Sequence, residues 1–535
     1  MTTTPAPPRV GKTISSVLGH AVSSTSSSGS TGREPVRLAD SGLWDRQRSF
    51  YDGDVAGLWG SGAVPHHITG NPVIAHCYAR LVVEFLRALP DDEAARPLLL
   101  VELGGGSGRF AYLCVQALRE LAPTLRFTYV VTDFSAERVD AWAAHPSYAP
   151  LLAGGYLDVA VLDADDPGPT TTRVSGRRLA PGEWDGPVVG IANYVFDTLV
   201  HDAYVVRAGE LREARVTVPA DLHADRPAGG VVWSSVPCDA LPAGGPEGLA
   251  PVLEHYREVL DDTAVLVPTG GLRWLDLVAG LTAGSSCSLV ADKGHGSLLE
   301  LCSQPEPSVV LHGAGFSLMV NFDLLARRTR ACGGVAVLPR DRSPHLVVGA
   351  FAQGAVADPE SFAAAVRDEL VDTGPDNYYL LRSLLAPGAD TGVGSLLAAL
   401  RLSRYDPTLL VELLPRLLDV LPDVPDVQRA DVERALLRVW DQWFPIGERL
   451  DLALCVGLAL SAMDRFARAL PFLEDSVAAH PDSAPALFSL AVAHRGAGDL
   501  EAARRWVDRA LDADPGMAQA RALRAVVDDE LGVTG

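Results

Sequence analysis

The stretch Val101-Glu102-Leu103-Gly104-Gly105-Gly106-Ser107-Gly108-Arg109-Phe110 follows directly on the apolar run Pro97-Leu98-Leu99-Leu100. Glycine loses the most backbone freedom on ordering, so four glycines in five positions weaken any strand or helix that would contain them. The segment therefore reads as a loop between a strand, Leu98 to Leu103, and a helix, Phe110 to Leu121. Strand, glycine loop and helix together suit a nucleotide-like ligand, because the loop permits close approach and the helix start presents free N–H groups. No Gly-Lys-Ser or Gly-Lys-Thr follows, so the loop is not a P-loop.

Two ligand classes remain. The dinucleotide fingerprint is G-x-G-x-x-G, whereas Gly104, Gly106 and Gly108 stand at G-x-G-x-G. A carboxylate at Glu102 would repel a pyrophosphate and favour a cationic sulfonium, which points to S-adenosylmethionine and places a nicotinamide oxidoreductase behind it. The second strand, Phe127 to Thr132, runs into Asp133, where a carboxylate could accept both ribose hydroxyls. The third, Leu157 to Leu162, runs into Asp163, which could face the adenine. Glu102, Gly104, Gly106, Gly108, Asp133, Asp163 and Asn193 form the candidate cofactor set.

Around this unit short apolar runs alternate with helical stretches: a helix over Ala136 to Ala144, a strand over Val188 to Ala192, and a late pair of strands at Val335 to Leu338 and Leu346 to Phe351. Such alternation predicts an α/β fold with a parallel sheet covered on both faces. Upstream, Asn71-Pro72 opens a helix through Leu89. Between the strand at Val188 and the late strands lie probes of a second layer, with strands at Tyr204 to Val206 and Ala214 to Val218 and helices at Pro251 to Leu260 and Leu272 to Leu281.

From about Pro359 the pattern is helical throughout. Pro481 and Pro515 stand 34 residues apart, the length of a tetratricopeptide repeat. Leu487, Leu490, Ala491, Gly498, Ala503, Val507 and Ala510 occupy that repeat's bulky and small positions. A shift back by one period gives Ala453, Val456, Gly457, Asp464, Ala469, Leu473 and Ser476, a looser second copy.

The 535 residues, 48% apolar and 21% charged, exceed a single core and leave ample material for a large one. The seven cysteines are odd in number and contain no CxxC pair, which suits reduced thiols. A net charge of −22 argues against a nucleic-acid partner. No run of about 18 apolar residues predicts a membrane span and no secretory leader is visible, so a cytoplasmic location is expected. Lys12 and Lys293 are the only lysines.

Several motifs carry a resemblance. Gly190-Ile191-Ala192-Asn193-Tyr194-Val195-Phe196-Asp197-Thr198-Leu199-Val200-His201 resembles the fourth-strand motif of the MidA-like methyltransferases, whose mitochondrial members methylate a protein arginine during respiratory complex I assembly. Asp292-Lys293-Gly294-His295-Gly296-Ser297-Leu298, His312-Gly313-Ala314-Gly315 and Val320-Asn321-Phe322-Asp323-Leu324-Leu325-Ala326 are similar to that family's tail, and Ile68-Thr69-Gly70-Asn71-Pro72 to its entry motif. The likeness covers roughly residues 45 to 352. It implies a class I methyltransferase (Rossmann-like) sheet with a substrate-covering insertion and methyl transfer from S-adenosylmethionine, with Asn193 and Asp197 among the site positions. The chain departs from the family at Tyr194, at Thr198-Leu199-Val200 and at Lys293. If the acid absent at Tyr194 holds a guanidinium, arginine becomes doubtful as the acceptor.

The expected layout is a disordered tail over 1–38, a methyltransferase domain over 39–385 with an insertion at about 202–285, and an all-α tetratricopeptide-like domain over 386–535. Candidate catalytic residues are Asn193, whose carbonyl oxygen could orient an amine or hydroxyl, Asp197 as anchor or general base, and His201 as a base titrating near neutrality. His295 is a further base candidate and Lys293 could bind a substrate carboxylate. No metal spacing is present, including at His66-His67. Repeats of this kind leave a face free to hold a protein or peptide, so a protein or peptide acceptor recruited by them is expected, with a small-molecule methyltransferase or an inactive scaffold as alternatives. The sequence leaves the acceptor atom and oligomeric state open.

Overall fold

The computed structural model describes residues 34–533 apart from 53–67, 220–229, 239–244, 303, 313–314, 341–345, 386, 389 and 449. Most of the expected tail, His66-His67 and part of the 202–285 insertion lie outside the described residues. The last residues assigned to the tail belong to the fold: Val36–Arg37 is a short strand and Leu38 is fully buried.

Four strands, β1 (Leu98–Leu103), β2 (Phe127–Asp133), β3 (Leu157–Val161) and β4 (Val188–Asn193), run parallel and are buried on both faces. Their near-continuous Val, Ile and Leu runs are what a sheet covered on both sides requires. After an antiparallel layer built from β5 (Asp202–Arg207), β6 (Glu210–Thr217), β7 (Val232–Pro237) and β8 (Thr263–Val267), the chain returns to the main sheet as β9 (Ser286–Asp292), parallel to β4. The strands β10 (Val335–Val337) and β11 (Val347–Gln353) complete it, β11 lying antiparallel between β9 and β10. The seven-stranded order is β10-β11-β9-β4-β1-β2-β3. This is the class I methyltransferase sheet, with its penultimate position taken by a reversed strand. The direction of winding changes between β1 and β4, and the crevice beyond the carboxyl ends of those two strands is where open α/β sheets hold ligands.

The helices α1 (Leu43–Tyr51), α2 (Pro72–Arg87), α3 (Arg109–Leu121) and α4 (Ala136–Ala143) precede the antiparallel layer, and α5 (Leu249–Val259), α6 (Thr269–Gly280) and α7 (Phe322–Ala331) follow within and after it. Side chains alternate across a strand, so β1 feeds two cores. Leu98 and Leu100 join the cluster under α2 and α3, whereas Leu99, Val101 and Leu103 join the cluster with α5, α6 and α7. Asn71 caps α2 by accepting the Ile74 N–H at 3.1 Å, with Pro72 at the first helical position. The small antiparallel layer is joined by Val36–Arg37 along β6, where Arg37 pairs with Asp202 and, at 2.9 Å, with Glu213.

Beyond β11 the chain is helical. The helix α8 (Pro359–Thr373) packs on α2, with Phe85 against Phe362 and Arg80 2.6 Å from Glu369. Then follow α9 (Pro375–Arg382), α10 (Val393–Leu402), α11 (Pro407–Val420), α12 (Asp426–Asp441) and five helices in hairpin order, α13 (Leu452–Ala462), α14 (Phe466–Ala479), α15 (Ala484–Gly496), α16 (Leu500–Ala513) and α17 (Ala518–Glu530). The repeat positions read from sequence are core: Leu487, Leu490, Ala491, Ala503, Val507 and Ala510 are buried, as are Val456, Ala469 and Leu473 one period earlier. Gly498 turns between α15 and α16 at φ +87°, and Asp464 holds the matching turn between α13 and α14 at φ +60°. The looser first copy thus keeps the left-handed turn with a residue that tolerates it less well.

Candidate functional site

The loop after β1 is left-handed at three alternate positions, Gly104 (φ +63°), Gly106 (φ +54°) and Gly108 (φ +81°), where residues bearing a Cβ are strained. Gly105 is needed for a different reason: a Cβ there would overlap Val131 of β2, and one on Gly108 would meet the Tyr148 hydroxyl at 2.8 Å. The close approach is thus made partly by the protein's own side chains. On the open side the loop faces a cleft of about 800 Å³ including its mouth, within the range of small-molecule sites.

The cleft has three walls. Leu103, Gly104 and Gly106 form the first; Asp133, Phe134, Arg138, Asp163 and Asp165, from the ends of β2 and β3, the second. Tyr194, Val195, Thr198 and Leu199 after β4 meet Trp44, Gln47, Arg48 and Tyr51 of α1 across the third. The candidates Gly104, Gly106, Asp133 and Asp163 therefore line one cavity, and Gly108 starts α3 behind it.

Two of the three acidic residues of the second wall, Asp133 and Asp163, are each fixed by an arginine. Asp133 accepts the Ser135 N–H at 3.0 Å and lies 2.6 Å from Arg138, a pair with 9% and 3% of its side chains exposed. Asp163 lies 2.6 Å from Arg48, which reaches across from α1. The two guanidinium groups also lie over the Phe134 ring, at 4.9 Å for Arg48 and 5.8 Å for Arg138. These arginines were not singled out in the sequence; no spacing to the glycine loop marks them.

Glu102 is placed differently from its expectation. Alternation along β1 turns it to the face of Leu98 and Leu100, so it is 3% exposed and absent from the cleft wall. The Tyr129 hydroxyl donates to it at 3.1 Å. Burial outweighs that bond and pushes the carboxyl up to about 8, so it is neutral at pH 7. The loop is thus backed by a hydrogen-bonded acid rather than by a negative charge.

Asn193 and Asp197, at and after the end of β4, do not line the cleft; they lie close to a carboxyl, Asp292, to which the sequence assigned no role. The Tyr78 hydroxyl donates to Asn193 Oδ1 at 2.6 Å, occupying the oxygen expected to orient an acceptor, while Asn193 Nδ2 is buried without a partner. Tyr194 holds φ +56° and turns the chain into the cavity wall. Asp197 is 5% exposed, and its backbone N–H donates to Asp292 Oδ2 at 3.0 Å. Burial raises the Asp197 carboxyl to about 7, opposed by Lys293, and raises Asp292 as well, with Asp197 adding to the effect. Asp292 Oδ1 also accepts the Lys293 N–H at 2.8 Å. Asp197 Oδ1 has no hydrogen-bond partner. The phenol of Tyr51, at the end of α1, is likewise raised by burial and by these two carboxyls.

His201 is fully buried and does not line the cleft. Its Nδ1–H donates to the Leu199 carbonyl at 2.8 Å and its ring stacks on Trp44 with centroids 6.0 Å apart. Burial lowers it to about 4, against the opposing effect of that hydrogen bond, so the imidazole is neutral at pH 7. The geometry gives it a packing role beneath α1. His295 lies away from the cleft wall, its Nε2 3.2 Å from Gln304. Among the described residues no cluster of His, Cys, Asp and Glu could hold a metal, and no helix is long and apolar enough to cross a membrane.

With this geometry in hand, comparisons with known proteins place the chain among distant likenesses. The family model for the tetratricopeptide repeat matches residues 460–527. No curated protein matches the chain. Among solved structures, an uncharacterized COG1565 superfamily protein from Burkholderia thailandensis is 16% identical, spans 60% of this chain and 89% of its own, and superposes with a TM-score of 0.39. A second COG1565 superfamily member from the same organism, bound to S-adenosyl-homocysteine, is 17% identical over 57% of this chain and 74% of its own, with a TM-score of 0.35. MamA from Desulfovibrio magneticus is 19% identical over 29% of this chain and 84% of its own, with a TM-score of 0.23. At these distances the functional reading rests on strand order and cleft chemistry, and the repeat match alone attaches a family description to part of the chain.

Proposed function

We propose that the chain is an S-adenosylmethionine-dependent methyltransferase acting on a protein or peptide that its helical repeats recruit. One observation carries the reading: the left-handed glycine loop after β1 and the arginine-fixed carboxylate of Asp133 after β2 line the same cleft, at the point where the sheet changes winding direction. The residues fit the cofactor. Asp133, its two oxygens oriented by Ser135 and Arg138, presents lone pairs to a pair of ribose hydroxyls. Asp163 and the Phe134 ring flank the place of a planar base. Gly104 and Gly106 let an aliphatic chain lie against the backbone.

The bound cofactor supplies an electrophilic methyl group. The chain's task is then to align an acceptor and take its proton. Behind the wall formed by Tyr194 and Val195, Asn193, oriented by Tyr78, keeps a buried Nδ2 without a partner, and Asp197, with an unpartnered Oδ1 and a carboxyl raised toward neutrality, is suited to hold a proton in exchange. The acidic surface charge accords with a basic peptide segment on the repeats.

The test uses the full chain with radiolabelled S-adenosylmethionine and a size-separated extract of the source organism, alongside calorimetry with S-adenosylhomocysteine. Label in the macromolecular fraction is expected. Label confined to small molecules would replace the acceptor class; binding without any labelled product would make the protein a scaffold. No binding at millimolar ligand would end the methyltransferase reading.

A further inference from the structure

We infer that the segment Gln442–Glu448, which joins α12 to α13, is a working part of the donor site: it positions the glycine loop, and through it the helical region sets how tightly the cleft holds its donor. The inference rests on the cofactor reading above. Arg109 is the first residue of α3 and follows directly on Gly108. Its buried guanidinium donates from Nε at 3.0 Å and from Nη2 at 2.7 Å to the Phe444 carbonyl, and it pairs with Glu448. Glu448 is itself held by the Ile446 N–H at 2.6 Å.

A second path reaches the same glycine. Phe444 is fully buried and belongs to the apolar core of the α/β region rather than to that of the repeats. Its ring stacks on His145 at 4.0 Å and meets Tyr148 at 5.2 Å. The Tyr148 hydroxyl donates to the Gly108 carbonyl at 2.6 Å. One connection, a chelated cation, therefore ends on the residue after Gly108, and the other, an aromatic stack, ends on Gly108 itself. A contact that only joined two domains could fall anywhere on the α/β surface. This one converges on the hinge between loop and helix, where sub-ångström placement decides whether the loop's backbone meets a ligand.

The test compares full-length variants by calorimetric titration with S-adenosylhomocysteine and by thermal unfolding. Phe444→Ala should raise Kd about tenfold, within the usual range of coupling between linked sites, and Phe444→Leu should recover part of the loss. Glu448→Gln, which keeps the packing, should raise Kd about threefold and carries the test if Phe444→Ala does not fold. Leu473→Ala, in the repeat core away from the segment, should lower the melting temperature and leave Kd within about twofold. Phe444→Ala or Glu448→Gln binding as tightly as the natural chain, while melting earlier, would overturn the inference and leave the cofactor reading standing. A natural chain that binds no S-adenosylhomocysteine would overturn both.

Discussion

The two halves of the site, the cleft wall and the buried groups beside it, handle acidic side chains in opposite ways. Toward the ends of β2 and β3, Asp133 and Asp163 each lie 2.6 Å from an arginine, so each carboxyl group is held in place by a partner of permanent charge. Toward the ends of β4 and β9, Asp197 and Asp292 are buried beside one another, with Lys293 near them and no arginine paired to either among the described residues. Burial pushes both carboxyls up, and the neighbouring Asp197 adds to the rise at Asp292. The first half suits binding of a ligand whose protonation does not change. The second suits a proton that comes and goes, and in an alkyl transfer from a sulfonium the proton belongs to the acceptor.

The sharpest way to break this comparison is to remove a fixed partner. Arg138→Ala leaves the 3% exposed Asp133 with the Ser135 N–H alone, and loss of one member of a buried ion pair typically costs about 3 kcal/mol. Urea unfolding should show that loss, and a change under about 1 kcal/mol would mean water replaces the guanidinium.

A smaller effect tests the other half. The folded Asp197 carboxyl titrates near 7 while an unfolded aspartate titrates at about 3.9. The folded chain therefore holds a proton that the unfolded chain has released between those values, and stability falls as pH rises through that window. Asp197→Asn should flatten the fall between about pH 5 and pH 7 by about 2 kcal/mol. Parallel stability curves for variant and natural chain would show that Asp197 ionises freely.

The smallest effect is expected at Arg48→Ala. The Arg48–Asp163 pair is 48% and 28% exposed, so it should contribute less than about 1 kcal/mol to stability. Its removal should still weaken S-adenosylhomocysteine, because α1 loses its tie across the cleft, and a Kd unchanged in calorimetry would make the tie incidental.

What could be read from the sequence follows the same division. The glycine loop and Asp133 were legible because backbone conformation and strand ends write them locally: three glycines at alternate left-handed positions, then an acid one strand later. The repeat was legible from its period. Glu102 was visible as a residue but its role was not, because one step of strand alternation decides between cleft and core. Arg48 and the Tyr78–Asn193 bond were hidden, since each joins segments far apart in the chain: 115 residues separate Tyr78 from Asn193. Arg138 follows Asp133 closely in the chain, but nothing in that spacing announces the pair. Asp292 sits in a stretch that resembles a family motif, and nothing in its neighbours announces that it accepts the Asp197 N–H.

The short strand Val36–Arg37 and the helix α1 have a further consequence for how the molecule comes into being. Val36 pairs with Val216, and Gln47 exchanges hydrogen bonds with the backbone of Phe316, at 2.6 and 2.8 Å. The earliest described part of the chain therefore finds its place only after the ribosome has released more than half of the polypeptide, and such distant pairings form late. A nascent chain can build the glycine loop long before it can roof it.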